Sequence, residues 1–110
     1  MRKVEILLNE KKIKAEGEYT SEEFHQTLDE YFIENADMEK RVESDGTIGY
    51  HAKVMKDENH YAKIWKSIGD LADCKWFTGY LIKFVYGDTY GSDNPNDYFF
   101  EDILKEWDKD

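Results

Sequence analysis

The chain has 110 residues, 40% hydrophobic and 36% charged, and a formal charge of −10. That composition excludes a disordered chain, and the length gives one domain, residues 1–110, with room for a core. The longest apolar run, Trp76 to Val85, is broken by Thr78, Gly79 and Lys83 and is too short to cross a bilayer. With no secretory apolar region at its start, the chain is expected in the cytoplasm. Cys74 is the single cysteine, so no internal disulfide forms, and a small core residue is its expected role.

The charge is unevenly spread. Residues 1–15 sum to +3, 16–39 to −9 without one lysine or arginine, 40–87 to +2, and 88–110 to −6. A field of this sign disfavours phosphate and favours basic partners. Direct nucleic-acid binding is therefore not expected.

In chain order, Val4, Ile6 and Leu8 alternate with Glu5 and Leu7, and Ile13 and Ala15 alternate with Lys12 and Lys14. Asn9–Lys11 separates the runs, and the pattern predicts a β-hairpin. Thr20 and Glu23 then form a T-x-x-E capping box, with Tyr19 and Phe24 as a hydrophobic staple. The helix is expected over Ser21–Asn35. Phe24, Leu28, Tyr31, Phe32 and Asn35 share an arc of about 100°. Glu22, Glu23, Asp29, Glu30, Glu34 and Asp37 share an opposite arc of about 140°, and Ile33 lies among them.

A second hairpin is expected from Arg41–Val42, through Ser44–Thr47, to Ile48–Val54. Asp45-Gly46 suits a type I′ turn, and Ile48, Tyr50, Ala52 and Val54 alternate towards the core. Asp57–Asn59 can cap a second helix whose face carries Tyr61, Ile64, Trp65, Ile68, Leu71 and Ala72. Trp76–Tyr86 fits both a helical stripe and strand alternation. The helix is preferred, with Gly87 as the residue just past its end. It forms the apolar scaffold of the aromatic segment Lys75–Trp107. Gly87–Asp97 is a loop by its Gly91, Asn94 and Pro95. Phe100, Ile103, Leu104 and Trp107 stripe a final short helix, and Asp108–Asp110 frays. The class is α+β: two hairpins, four mostly antiparallel strands, packed on three to four helices in the order ββαββααα.

Few residues suggest chemistry. His25, His51 and His60 lack the spacing of a helical zinc site and read as polar surface or boundary residues. Asp88, Asp93, Asn94, Asn96, Asp97 and Glu101 could ring a calcium ion, but the EF-hand order is absent; turn and capping roles explain most of them. No catalytic residue, metal or cofactor is expected, and the chain reads as a non-enzyme.

The acidic face of the first helix carries more information. A solvated face is the ordinary explanation. Without lysine or arginine nearby, however, ion pairs at i,i+4 are not its purpose. Six carboxylates over about 22 Å of helix approach the spacing of about 3.4 Å per phosphate on one strand of duplex. The expected partner-binding residues are Glu22, Glu23, Asp29, Glu30, Ile33, Glu34 and Asp37, joined by Asp93, Asp97, Glu101 and Asp102.

Several stretches carry a resemblance. They are V-E-I-L-L-N-x-x-x-I-x-A-E-G-E-Y (Val4 to Tyr19), Thr27–Asp29, Asp45-Gly46-Thr47, Trp76-Phe77, and Asn94-Pro95-Asn96-Asp97-Tyr98 followed by Glu101-Asp102-Ile103-Leu104. Together they resemble small acidic proteins of conjugative and other mobile elements of Gram-positive bacteria, among them type II-A anti-CRISPR inhibitors. The chain departs from that group at Phe99-Phe100, where a small capping residue is usual. The resemblance implies an inhibitor of a host RNA-guided nuclease, acting in a bacterial cytoplasm on the basic channel for guide RNA and heteroduplex, and implies no catalytic residues. An immunity protein or antitoxin for a basic nuclease toxin is the alternative. An oligomeric accessory protein of a mobile element is a further one, because seventeen aromatic residues leave some to be buried in a homodimer.

Overall fold

The computed structural model describes residues 2–52, 58–89 and 98–107. Val54, Asp57, Asp93, Asp97, the tip of the Asn/Asp-rich loop and residues 108–110 lie outside the described residues. The chain is α+β, with five antiparallel strands in one sheet and helices packed on it. The sheet order is β2-β3-β1-β4-β5.

Strand β1 (Arg2–Leu8) lies at the centre. It pairs β3 from Lys3↔His51 to Ile6↔Ile48, and β4 from Arg2↔Asp88 to Leu8↔Leu81, with a shift between Leu7 and Leu8. Val4, Ile6 and Leu8 are buried on the helix side. Lys3, Glu5 and Leu7 face the other side, only partly covered. On that side Lys83 bonds the Glu5 carboxylate at 2.9 Å.

The expected first hairpin is not formed. Ile13–Ala15 belongs to helix α1 (Glu10–Glu16). Asn9 caps it by accepting from the Lys12 amide at 3.1 Å, and Gly17 ends it at φ 66°, a left-handed conformation that costs glycine nothing. Ile13 is buried; of the lysines beside it, Lys14 is exposed, and Lys12 is partly covered and donates to the Gly79 carbonyl at 2.8 Å.

Helix α2 (Ser21–Asp29) follows its expected cap. The Thr20 hydroxyl accepts from the Glu23 amide at 3.2 Å, and the Tyr19 and Phe24 rings meet edge to face at 5.9 Å. The helix does not stay α-helical to Asn35. It widens into a π turn at Glu30–Glu34, where the Asn35 amide bonds the Glu30 carbonyl. Asp37 then stops it at φ 51°, a conformation aspartate tolerates better than most residues.

Strands β2 (Glu39–Val42) and β3 (Ile48–His51) form the second hairpin as expected. Ile48, Tyr50 and Ala52 are buried. The turn differs from type I′, since only Gly46 has positive φ. The Gly46 amide bonds the Glu43 carbonyl, and the Asp45 carboxylate takes the Thr47 amide at 2.9 Å.

Helix α3 (Glu58–Ala72) buries Ile64, Ile68, Leu71 and Ala72. It also buries His60, against the expectation of a surface or turn residue: the ring Nε2–H donates to the Ala36 carbonyl at 2.8 Å. Ser67, about two turns along on the same face, donates to the Tyr31 carbonyl at 2.7 Å. Two side chains of α3 thus satisfy carbonyls in and just beyond the π turn, where the regular α pattern is interrupted.

Trp76–Tyr86 is not one helix. It divides into a single turn, α4 (Lys75–Thr78), and strand β4 (Leu81–Asp88). The aromatic residues fit either period, and pairing with β1 and β5 on both edges decides for the strand. Leu81, Phe84 and Tyr86 are buried, whereas Trp76 is 52% exposed and is not core. Gly87 is a strand residue. A Cβ there would come 2.8 Å from the Phe100 ring, so its bare backbone receives the cross-strand ring.

The last segment also differs from expectation. Phe99 and Phe100 lie in edge strand β5 (Phe99–Asp102), and helix α5 is only Ile103–Trp107. Asp102 starts α5 by accepting from the Lys105 amide at 3.2 Å. Ile103 is fully buried. Cys74 is half-buried against the core.

Ser67→Ala removes the donor from a part-buried carbonyl. It should lower unfolding stability by about 1–2 kcal/mol, read as a lower urea midpoint with unchanged slope. No change would mean that the π turn does not depend on the Ser67 bond.

Candidate partner-binding surface

The acidic surface is built on α2 and its π turn. Glu22 and Glu23 lie in the first turn, where the helix dipole favours negative charge. Glu22, Glu23, Glu30, Glu34 and Asp37 are exposed. Ile33 is 38% exposed and lines a shallow depression of about 330 Å³ with Gln26, Asp29, Glu30 and Glu34. An apolar side chain among carboxylates can exclude water at the centre of an interface.

Asp29 has a different role from its neighbours. Its carboxylate accepts the Tyr50 hydroxyl at 2.7 Å and binds the Lys40 ammonium at 3.1 and 3.3 Å. Lys40 also donates to His25 Nδ1 at 3.0 Å. The acidic block holds no basic residue in sequence, but β2 delivers one to it in space. Burial of the Tyr50 phenol, then its bond to Asp29, pushes its pKa far up, so it stays a donor throughout the ordinary pH range.

Among the described residues the two acidic blocks do not merge. Helix α5 packs on β4, β5 and α3. Glu101 and Asp102 sit on β5, at the opposite sheet edge from β2. Four inter-strand steps separate those edges, about 19 Å. Asp102 is partly committed to capping α5. Asp88, from the Asn/Asp-rich loop, instead lies at the end of β4, with the Arg2 guanidinium 3.5 Å away and the Tyr86 hydroxyl at 3.1 Å.

Two features were missed in the sequence. The first is the Tyr50–Asp29–Lys40–His25 chain. It joins three elements and leaves no signal in local spacing. The second is an aromatic group around exposed Trp76, whose ring stacks on Tyr19 at 4.8 Å. The T-x-x-E staple located Tyr19 but not its partner.

No protein-family model, no curated protein and no solved structure matches the chain. Among the described residues no helix is long and apolar enough to cross a membrane. The fold and surface define an α+β protein with an acidic helical ridge.

Burial, then the Lys40 charge, holds His25 below its ordinary 6.5, against the pull of Asp29 and Glu10. Burial, then Arg41 and Lys3, does the same for His51. For such groups the unfolded chain takes up protons first as pH falls. Stability from this source is full above about 6.5 and drops towards the native values. The denaturation midpoint should therefore decrease from about pH 7 to about pH 5, and His25→Gln with His51→Gln should flatten the decrease. An unchanged slope in the double variant would refute this assignment.

Proposed function

We propose that this protein is a non-enzymatic inhibitor whose acidic surface binds a basic, nucleic-acid-handling protein. In its most specific form it is an anti-CRISPR protein that blocks a type II RNA-guided nuclease or its guide-RNA loading. The observation that carries the reading is the ridge of exposed carboxylates, Glu22, Glu23, Glu30 and Glu34, with exposed Ile33 beside the last two. Glu22 to Glu34 spans roughly 18 Å of helix, enough to follow several phosphate positions of a nucleic-acid groove. The resemblance to small acidic proteins of mobile elements supports the choice of partner. Glu101 and Asp102 would form a second, separate contact. Asp29 would act by holding the ridge in place.

The triple variant Glu22→Lys, Glu30→Lys, Glu34→Lys reverses the ridge and spares the Thr20–Glu23 cap. Capture of basic nuclease from host lysate should fall by at least about tenfold at physiological salt, and wild-type capture should weaken at higher salt. Capture that survives both changes sinks the reading.

A homodimer is a second reading, favoured by one observation. Phe99 is 66% exposed on edge strand β5, and such an edge is a template for pairing with another chain. Light scattering should give twice the monomer mass for the wild type and the monomer mass for Phe99→Lys. A monomeric wild type removes this reading.

A further inference from the structure

The aromatic group at the N-terminal end of α2 is not explained by core packing alone. Tyr19, Phe24, Trp76 and Phe77 wall a small open pocket of about 90 Å³ with Glu23 and Thr27 at its side. The Tyr19 and Trp76 planes lie 28° apart at 4.8 Å. Phe24 meets Phe77 at 4.9 Å and Trp76 at 6.3 Å. Glu23, whose side chain accepts from Thr20 at 3.3 Å, brings a carboxylate to the rim. The adjoining aromatic surface already holds one cation of this chain. The Lys12 ammonium lies 4.9 Å from the Tyr80 ring centre while donating to the Gly79 carbonyl at 2.8 Å. Tyr80 in turn packs on Tyr19 and Phe24.

We propose that the pocket formed by Tyr19, Phe24, Trp76 and Glu23 is a receptor for one arginine side chain of the basic partner. This rests on the inhibitor reading and names the contact that the acidic ridge leads to. A planar guanidinium stacks on an indole face through its attraction to the ring electrons, and its N–H fork suits a carboxylate. Trp76 offers the exposed ring and Glu23 the carboxylate. The surrounding helix adds Glu22 in the same turn, so the field at the pocket attracts a cation. Lysine offers a point charge without the flat face, and a neutral side chain offers neither.

Short peptides alternating glycine with arginine, lysine or citrulline serve as probes, with the purified full chain. The indole N–H resonance of Trp76 is followed by NMR, with Trp65, packed against Tyr86 at 4.8 Å, as internal control. The arginine peptide should shift Trp76 and leave Trp65 in place. The lysine peptide should bind more weakly, and the citrulline peptide should give no shift. Glu23→Gln, which keeps the capping-box geometry, should weaken the arginine peptide by about fivefold, and Trp76→Leu by about tenfold. Equal binding of citrulline or lysine peptide, or full affinity in Glu23→Gln, overturns the proposal. No Trp76 shift with the arginine peptide overturns it as well. The peptides replace the protein partner, so the outcome is independent of the ridge-reversal variant. Arginine binding with intact capture in that variant would sink the inhibitor reading alone.

Discussion

The acidic ridge depends on how the π turn at Glu30–Glu34 is fixed. A widened turn leaves carbonyls without their α-helical partners, and a part-buried carbonyl without a donor is costly. Here Ser67 and His60 of α3 bond the carbonyls of Tyr31 and Ala36. From the sheet, Tyr50 bonds Asp29 just before the turn. Three side chains from two other elements thus set the helix against the core. Phe24, Leu28 and Phe32 are buried beneath it, each contributing about 1.5–3 kcal/mol. The apolar burial supplies most of the stability. The hydrogen bonds fix which side of the helix faces out, and so where Glu30, Ile33 and Glu34 stand.

The ridge also accepts an electrostatic cost. Carboxylates near one another repel, and only two of them gain from the helix dipole at the first turn. Lys40 relieves this at Asp29 alone. It arrives from β2, whose register with β3 places Lys40 opposite Tyr50. The residue that completes the helix–sheet link is therefore neighbour to both the phenol and the carboxylate. Residues 16–39 themselves carry nine carboxylates and no lysine or arginine. A surface of that kind is suited to a partner that brings the opposite charge.

Much of this was legible in the sequence where one local rule acted without competition. The Thr20–Glu23 box set the start of α2, Asp45-Gly46 marked the second hairpin, and the apolar face of α3 predicted Ile64, Ile68 and Leu71 as core. Where two periods fitted, the local rule failed. Ile13 and Ala15 suit a strand by alternation, yet Asn9 and Gly17 bracket a helix of just seven residues. Those caps were present in the sequence and outweigh so short an alternation. Trp76–Tyr86 could not be decided locally, because its strand exists through partners in β1 and β5. The π turn was illegible for a similar reason: the donors that make it tolerable lie in α3, 24 and 36 residues further along the chain than the carbonyls they serve. Of the candidate site, the exposed glutamates and Ile33 were readable from helical periodicity. The service of Asp29 to Tyr50, and the exposure of Trp76, were not.

The π turn has a consequence for length variation in the chain. An i→i+5 turn holds one residue more than an α turn, so it stores a unit of chain within a continuous helix. Losing one residue between Glu30 and Glu34 would let the segment relax to α geometry without pulling on the chain beyond it. Asp37 could still close the helix, and Glu39 could still meet His51 at the start of the β2–β3 ladder. Side chains beyond the lost residue would keep their phase relative to the sheet, and with Ile33 as the residue lost the ridge would shed one position. The helix can thus vary the number of groups it displays while the sheet below keeps its register.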